Sequence, residues 1–337
     1  WLSVQHNFQS YVAEIEKTHS VIEPHIQNTP LLNSKELDAK LGMQIFCKAE
    51  NLQVTGSFKI RGALSAISRL TDEQLKQGVL AYSSGNHAQG VAMAAKCYKT
   101  NATIIMPKDA PKIKIQNTKL LGANILFYDR DKDNREDIGE EIAREDNLTI
   151  IKPYDSLETI FGQGTTALEA IQQTDVIIDS SIICAGGGGL SAGCSIILKK
   201  KYPEIKIYTA EPEDWNDHEI SFKHKKIFTS SNSGSRLCDG ILTRQPGKIP
   251  FSINLALNLR GLSCEEAYVF KSIKLAKDVF GINLEPSGAI ALANLIKHKE
   301  HFLDQSVLIF FSGGNIDPQT LNLCLSNAEN NNDIIDI

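Results

Sequence analysis

The stretch Val176-Ile-Ile-Asp-Ser-Ser-Ile-Ile-Cys-Ala-Gly-Gly-Gly-Gly-Leu-Ser-Ala-Gly193 decides the architecture. Its apolar first part reads as a strand over 176–183, and the residues after the glycines read as a helix. Glycines at such a turn let backbone N–H groups close on an anion at the positive end of the helix. As a merely flexible turn, four of them in mid-fold would waste chain entropy. The G-x-G-x-x-G dinucleotide template fails because Ser191 holds its last position, and no G-x-x-x-x-G-K-[ST] motif occurs. A small phosphorylated ligand fits better than a dinucleotide or ATP.

Outward from this turn the pattern alternates. Strands are expected over 44–48, 79–82, 102–106, 124–128, 148–151, 205–210 and 307–311. Helices are expected over 7–26, 87–98, 112–121, 134–145, 162–173, 264–280 and 288–298. Thr29-Pro30 stops the first helix, and Ser34 caps a new one. Strands alternating with helices of this length imply βαβ units and parallel sheets, hence an α/β fold in which ligands gather at strand-to-helix turns. Residues 212–262 read as an irregular surface excursion and 327–333 as a frayed tail.

The chain has 337 residues, 42% hydrophobic and 22% charged, an ordinary globular composition with room for two domains. Its 35 Lys+Arg against 40 Asp+Glu give a net charge of −5, which argues against nucleic-acid and anionic-membrane partners. No apolar run approaches a membrane span, and the first residues show no secretory pattern. Seven scattered cysteines without a C-x-x-C pair read as reduced thiols in a cytoplasmic setting.

Three further motifs stand at element edges. Asn51-Leu-Gln-Val-Thr-Gly-Ser-Phe-Lys-Ile-Arg-Gly-Ala63 sets Lys59 between an aromatic and an aliphatic residue. There burial would lower its pKa and make the amine nucleophilic toward a carbonyl. Ser83-Ser-Gly-Asn-His87 follows one strand, and Phe311-Ser-Gly-Gly-Asn-Ile-Asp317 follows the last.

These motifs, with Gly162-Gln-Gly-Thr-Thr166 and Glu285-Pro-Ser-Gly288, resemble in order the serine/threonine dehydratase and serine racemase family of fold-type II pyridoxal-phosphate enzymes. The resemblance implies a tryptophan-synthase-β-like fold of two domains, each a central, mostly parallel sheet flanked by helices. Residues 1–67 and 155–337 would form the large cofactor domain and 68–154 a small mobile one. It implies pyridoxal 5′-phosphate joined covalently to Lys59, with Phe58 stacked on its ring. Gly186, Gly187, Gly188, Gly189 and Leu190 would hold the phosphate. Asn86 would meet the ring hydroxyl, Glu285 would line the site and Ser312 would partner the ring nitrogen. A neutral hydroxyl there leaves the ring a weaker electron sink, which suits elimination. The substrate amine would displace Lys59, whose freed amine takes the α-proton; the β-hydroxyl leaves, giving a 2-oxo acid and ammonia. Ser83, Ser84, Asn86 and His87 would receive the substrate carboxylate, with Thr243 lining the pocket. A homodimer is expected.

Three features divide the subgroups. Ser84 matches serine racemases, where a hydroxyl facing Lys59 could reprotonate the opposite face; the alternative is a helix cap. Arg135 could read a second substrate carboxylate or could be a solvated helix charge. Glu211-Pro-Glu-Asp-Trp-Asn-Asp217 resembles a divalent-cation site, with Glu211, Asp217 and the main-chain oxygen of Trp215 taking Mg²⁺ or Ca²⁺; the alternative is an acidic loop. His218 reads as a surface histidine. The expected reaction is dehydration of serine- or threonine-type substrates, with serine racemisation or 3-hydroxyaspartate dehydration as alternatives. A nicotinamide oxidoreductase and an inactive binding module fit Lys59 and its context poorly.

Overall fold

The computed structural model describes residues 2–83, 85–110, 112–129, 132–230 and 234–330. Two sheets organise them. The strands in chain order are β1 (Leu31–Leu32), β2 (Gln44–Ala49), β3 (Val79–Tyr82), β4 (Ala102–Pro107), β5 (Asn124–Tyr128), β6 (Thr149–Ile150), β7 (Ser180–Cys184), β8 (Lys206–Pro212), β9 (Arg260–Cys264) and β10 (Ser306–Phe311). The larger sheet runs β1-β2-β10-β7-β8-β9 and the smaller β5-β4-β3-β6. All pairings are parallel except β1 with β2.

The central strands of the large sheet are continuous apolar runs, as parallel strands covered on both faces require: β7 and the last five residues of β10 are buried throughout. Helices Gly189–Lys201 and Pro286–Lys297 supply the cover, and helix Leu157–Gln172 packs against the first of them. Helix Lys59–Ile67 packs both on Leu157–Gln172 and on Asn86–Cys97 of the smaller unit. Beneath it Arg61 is fully buried, donating from Nε and Nη2 to Glu50 (2.8 Å each) and from Nη1 and Nη2 to Glu169 (2.9 and 2.8 Å). Lys48 Nζ adds 2.8 Å to Glu169. Two cations thus share two anions, and the geometry clips the end of β2 to both helices.

Five expectations need correction. Residues 212–262 are no surface excursion: they contain helices Asp217–His224 and Lys248–Ala256 and the start of β9, with Trp215, Phe222, Phe251 and Ile253 buried. The helix expected from 264 begins at Glu266, since Cys264 ends β9. The helix expected from 162 begins at Leu157, where the Ser156 hydroxyl accepts from Thr159 N–H. Residues 176–179 precede β7 rather than belonging to it. The tail forms helix Pro318–Asn330, and 331–337 lie outside the described residues. All seven cysteines are free thiols, and no helix among the described residues is long and apolar enough to cross a membrane.

Candidate active site

The segments that follow β2, β3, β6, β7 and β10 meet at the carboxyl ends of these strands, where a doubly wound sheet places ligands. Lys59 opens its helix, and its Nζ donates to the Pro153 carbonyl at 3.0 Å, 5.3 Å from the Phe58 ring centroid. Burial pulls its pKa down to about 8, against a smaller upward push from Cys184. Phe58 N–H donates to the Ser312 carbonyl at 3.1 Å, and Ser57 bridges Gly313, so the end of β10 fixes the turn that presents Lys59. The Ser312 hydroxyl lies 3.4 Å from the Ser287 carbonyl and also bonds the Cys184 thiol, whose pKa burial raises to about 11.

Asn86 is the first residue of helix Asn86–Cys97. Its Nδ2 donates to Glu285 at 2.6 Å, and its Oδ1 accepts from Asn315 Nδ2 at 2.8 Å. The Asn315 amide also donates to the Thr55 carbonyl at 2.8 Å, tying three motifs together. Burial pushes Glu285 up to about 7, opposed by its bond from Asn86. The Ser83 hydroxyl accepts from Gly85 N–H at 3.1 Å. His87 turns elsewhere than expected: it is buried, its Nε2 sits 2.7 Å from the Ile151 carbonyl, and burial, then the Lys59 charge, lower its pKa to about 3. A carbonyl only accepts, so Nε2 carries the proton; the neutral ring anchors the turn and brings no positive charge to a carboxylate. Ser84 lies outside the described residues.

The glycine loop is crowded from outside. A methyl at Gly186 would press on Ile241, and at Gly187 or Gly189 on Tyr154. At Gly188, where φ is +92°, it would lie 2.6 Å from His218 Cε1 and 3.1 Å from Pro250 Cβ. Gly189 and the buried Leu190 begin the next helix, whose first N–H groups have no intrahelical partner. Nearby, Thr243 Oγ1 is buried without a partner. Tyr154, Asn315 and His218 are the residues that sequence reasoning undervalued. Asn315 stands in the quoted stretch 311–317, so its position in that motif was the available signal.

Arg135 begins helix Arg135–Glu145, is exposed, and lies with its guanidinium 5.8 Å from the Tyr82 ring centroid. Its charge also acts on Tyr154, whose phenol burial raises to about 12. Lys114, from helix Lys112–Leu120, bridges to Asp239 at 2.9 Å and so ties the smaller unit to the larger. At the end of β8, Glu211 accepts from the N–H groups of His218 (2.8 Å) and Glu219 (2.9 Å) and caps helix Asp217–His224. Burial raises Glu211 well above the carboxylate range and Asp217 to about 8. Trp215 is buried and donates from Nε1 to the Ser235 carbonyl at 2.8 Å. His218 is fully buried, correcting the surface reading, and its Nε2 lies 2.8 Å from the Gly186 carbonyl.

An amine whose pKa burial lowers to about 8, uncommitted helix N–H groups on a glycine loop and the orphaned Thr243 hydroxyl are the groups a small phosphorylated aldehyde requires. That is the class the site defines. The chain belongs to the pyridoxal-phosphate dependent enzyme family, which matches residues 22–313. It is 38% identical over 305 residues to an L-threo-3-hydroxyaspartate ammonia-lyase of Pseudomonas sp, covering 90% of this chain and 95% of that one. It is 37% identical over 296 residues to a serine racemase of Schizosaccharomyces pombe, covering 88% and 91%. Among solved structures, the processed threonine deaminase isoform 2 of Solanum lycopersicum superposes with a TM-score of 0.90 at 30% identity, covering 96% and 94%. The architecture is that of the fold-type II enzymes.

Proposed function

We propose that this protein removes water from a β-hydroxy amino acid and releases a 2-oxo acid and ammonia, with pyridoxal phosphate held at Lys59. The observation that carries the reading is the buried Lys59 amine, with a pKa near 8, at the cleft that the glycine loop also lines. When bound, the cofactor supplies an electron sink for charge developing at the substrate α-carbon. The chain's own groups do the rest. The N–H groups of Gly186–Leu190 would hold the phosphate, and Phe58 would lie against the ring. Asn86, fixed by Glu285 and Asn315, would meet the ring hydroxyl. Ser312 would face the ring nitrogen, where a neutral hydroxyl does not protonate it as a carboxylate would. Lys59 Nζ, as the neutral amine, would take the substrate's α-proton as the β-hydroxyl leaves, the two together making the water removed, and hydrolysis of the unsaturated product would give the oxo acid and ammonia. Ser83 and the N-terminus of helix Asn86–Cys97 gather the substrate carboxylate, and His87 orients that turn through Ile151. Residues 68–154 form the unit that covers the cleft, a placement supported by the Lys114–Asp239 pair that spans the two units. A divalent cation at Glu211 and Asp217 completes the site, supported by two buried carboxylates with no basic partner among the described residues.

Arg135 favours one substrate class. A guanidinium beside Tyr82, acting on the tyrosine that covers the glycine loop, suits a second substrate carboxylate, as in 3-hydroxyaspartate. The test supplies L-serine, L-threonine and L-threo-3-hydroxyaspartate and measures 2-oxo acid release. At least tenfold higher kcat/KM for the dicarboxylate, lost in Arg135→Ala, is expected. No oxo acid from any substrate would overturn the reading.

A further inference from the structure

Three consecutive carbonyls of the glycine loop are gripped by the protein around them. The Gly186 carbonyl accepts from His218 Nε2 at 2.8 Å, out of helix Asp217–His224. The Gly187 carbonyl accepts from Gly247 N–H at 2.9 Å, just before helix Lys248–Ala256. The Gly188 carbonyl accepts from Ala192 N–H at 2.9 Å and from the Ser191 hydroxyl at 3.0 Å. Asn254 Nδ2 donates to Ser191 Oγ at 3.0 Å, which leaves the single proton of that hydroxyl to the Gly188 carbonyl. His218, Ser191 and Asn254 are fully buried. In a trans peptide the N–H that follows a carbonyl points the opposite way. Holding the carbonyls of Gly186, Gly187 and Gly188 therefore sets the direction of the N–H groups of Gly187, Gly188 and Gly189. No acceptor among the described residues takes any of these three.

We propose that His218 and Asn254 are positioning residues for the phosphate, His218 acting through the Gly186 carbonyl and Asn254 through Ser191 and the Gly188 carbonyl, so that the loop N–H groups are aimed before a dianionic phosphate ester arrives. The inference rests on the cofactor reading above. A run of glycines loses more backbone freedom on ordering than any other residues would. Left loose, the loop would meet that cost when the ligand binds; gripped, it has met it on folding. A bond to each carbonyl also polarises the N–H beyond it, which strengthens its hold on an anion.

The test uses the full chain freed of cofactor and compares pyridoxal phosphate with pyridoxal, which has the ring and the aldehyde but no phosphate. Absorbance titration gives the two Kd values, and ³¹P NMR reads the bound phosphate. In His218→Phe and in Asn254→Ala the Kd for pyridoxal phosphate should rise about tenfold with a moved ³¹P signal, while that for pyridoxal stays within about twofold. His218→Gln, whose amide returns an N–H donor to Gly186, should recover most of the loss. Should either variant not fold, His218→Asn and Ser191→Ala, which shorten the reach or remove one hydroxyl, take their places with the same expectation. Equal losses for the two ligands, or no loss for either, overturn the inference and leave the cofactor reading standing. Wild-type protein that binds pyridoxal phosphate no more tightly than pyridoxal overturns the reading of the glycine loop itself, and the inference with it.

Discussion

Gly188→Ala is the sharpest perturbation of the phosphate loop, because two separate costs meet at one atom. Gly188 has φ +92°, a left-handed conformation that costs an L-residue about 1–2 kcal/mol. The new methyl would stand 2.6 Å from His218 Cε1 and 3.1 Å from Pro250 Cβ. Neither neighbour moves freely, since His218 is bonded to Gly186 and the proline is a ring. Overpacking of this kind costs about 1–3 kcal/mol. Together the substitution should cost the holoenzyme about 2–5 kcal/mol. The apoprotein can shed part of this by shifting the loop, and that part reappears as weaker cofactor binding. Urea unfolding of apoprotein and the Kd for pyridoxal phosphate should therefore show losses that sum to this total. Adding His218→Ala should recover roughly the steric 1–3 kcal/mol in a double-mutant cycle. A summed loss below about 1 kcal/mol would refute the claim that the loop's shape depends on glycine at this point.

Three other outcomes follow from the geometry. Lys59 should capture pyridoxal phosphate only as the neutral amine, so the pH dependence of capture by apoprotein should rise with pH and flatten near its pKa of about 8; a rise continuing to the ordinary lysine value of 10.5 would contradict the burial argument. Glu169→Gln leaves Lys48 and Arg61 sharing one buried anion and should destabilise the protein by about 3–5 kcal/mol in denaturant unfolding; a loss under 1 kcal/mol would mean the network is not a clip. Ser84→Ala should suppress any L- to D-serine interconversion and leave L-serine dehydration within about tenfold, a barrier change of ~1.4 kcal/mol. Equal loss of both activities in chiral product analysis would make Ser84 a cap or a carboxylate ligand instead.

The parallel sheets were legible because glycine and proline punctuate them: β3, β7 and β10 end at the turns Ser83-Ser-Gly, Ala185-Gly-Gly and Ser312-Gly-Gly, whose residues are both breakers and candidate ligand groups. What escaped was determined by distant partners. Helix Asp217–His224 lacks a local Ser or Thr cap, since the Glu211 carboxylate reaches it from β8. β9, Arg-Gly-Leu-Ser-Cys, carries no apolar run and is a strand because β8 pairs with it. Gly162 reads as a helix start, yet it lies inside one, where a side chain would strike the backbone of Arg61. His218 reads as surface beside acidic neighbours, and only the Gly186 carbonyl, thirty-two residues away, explains its burial. The site was legible as a set of motifs, whereas the cross-links that position it, Asn315 to Asn86 and Pro153 to Lys59, depend on tertiary approach.

The central claim is that Lys59 is the residue to which the cofactor attaches. Borohydride reduction of the holoenzyme fixes the cofactor on its lysine, and peptide mass spectrometry then identifies the position. The account predicts a single phosphopyridoxyl adduct on the peptide containing Lys59 and none on Lys48 or Lys114. An adduct on another lysine, or none in protein loaded with pyridoxal phosphate, would contradict it.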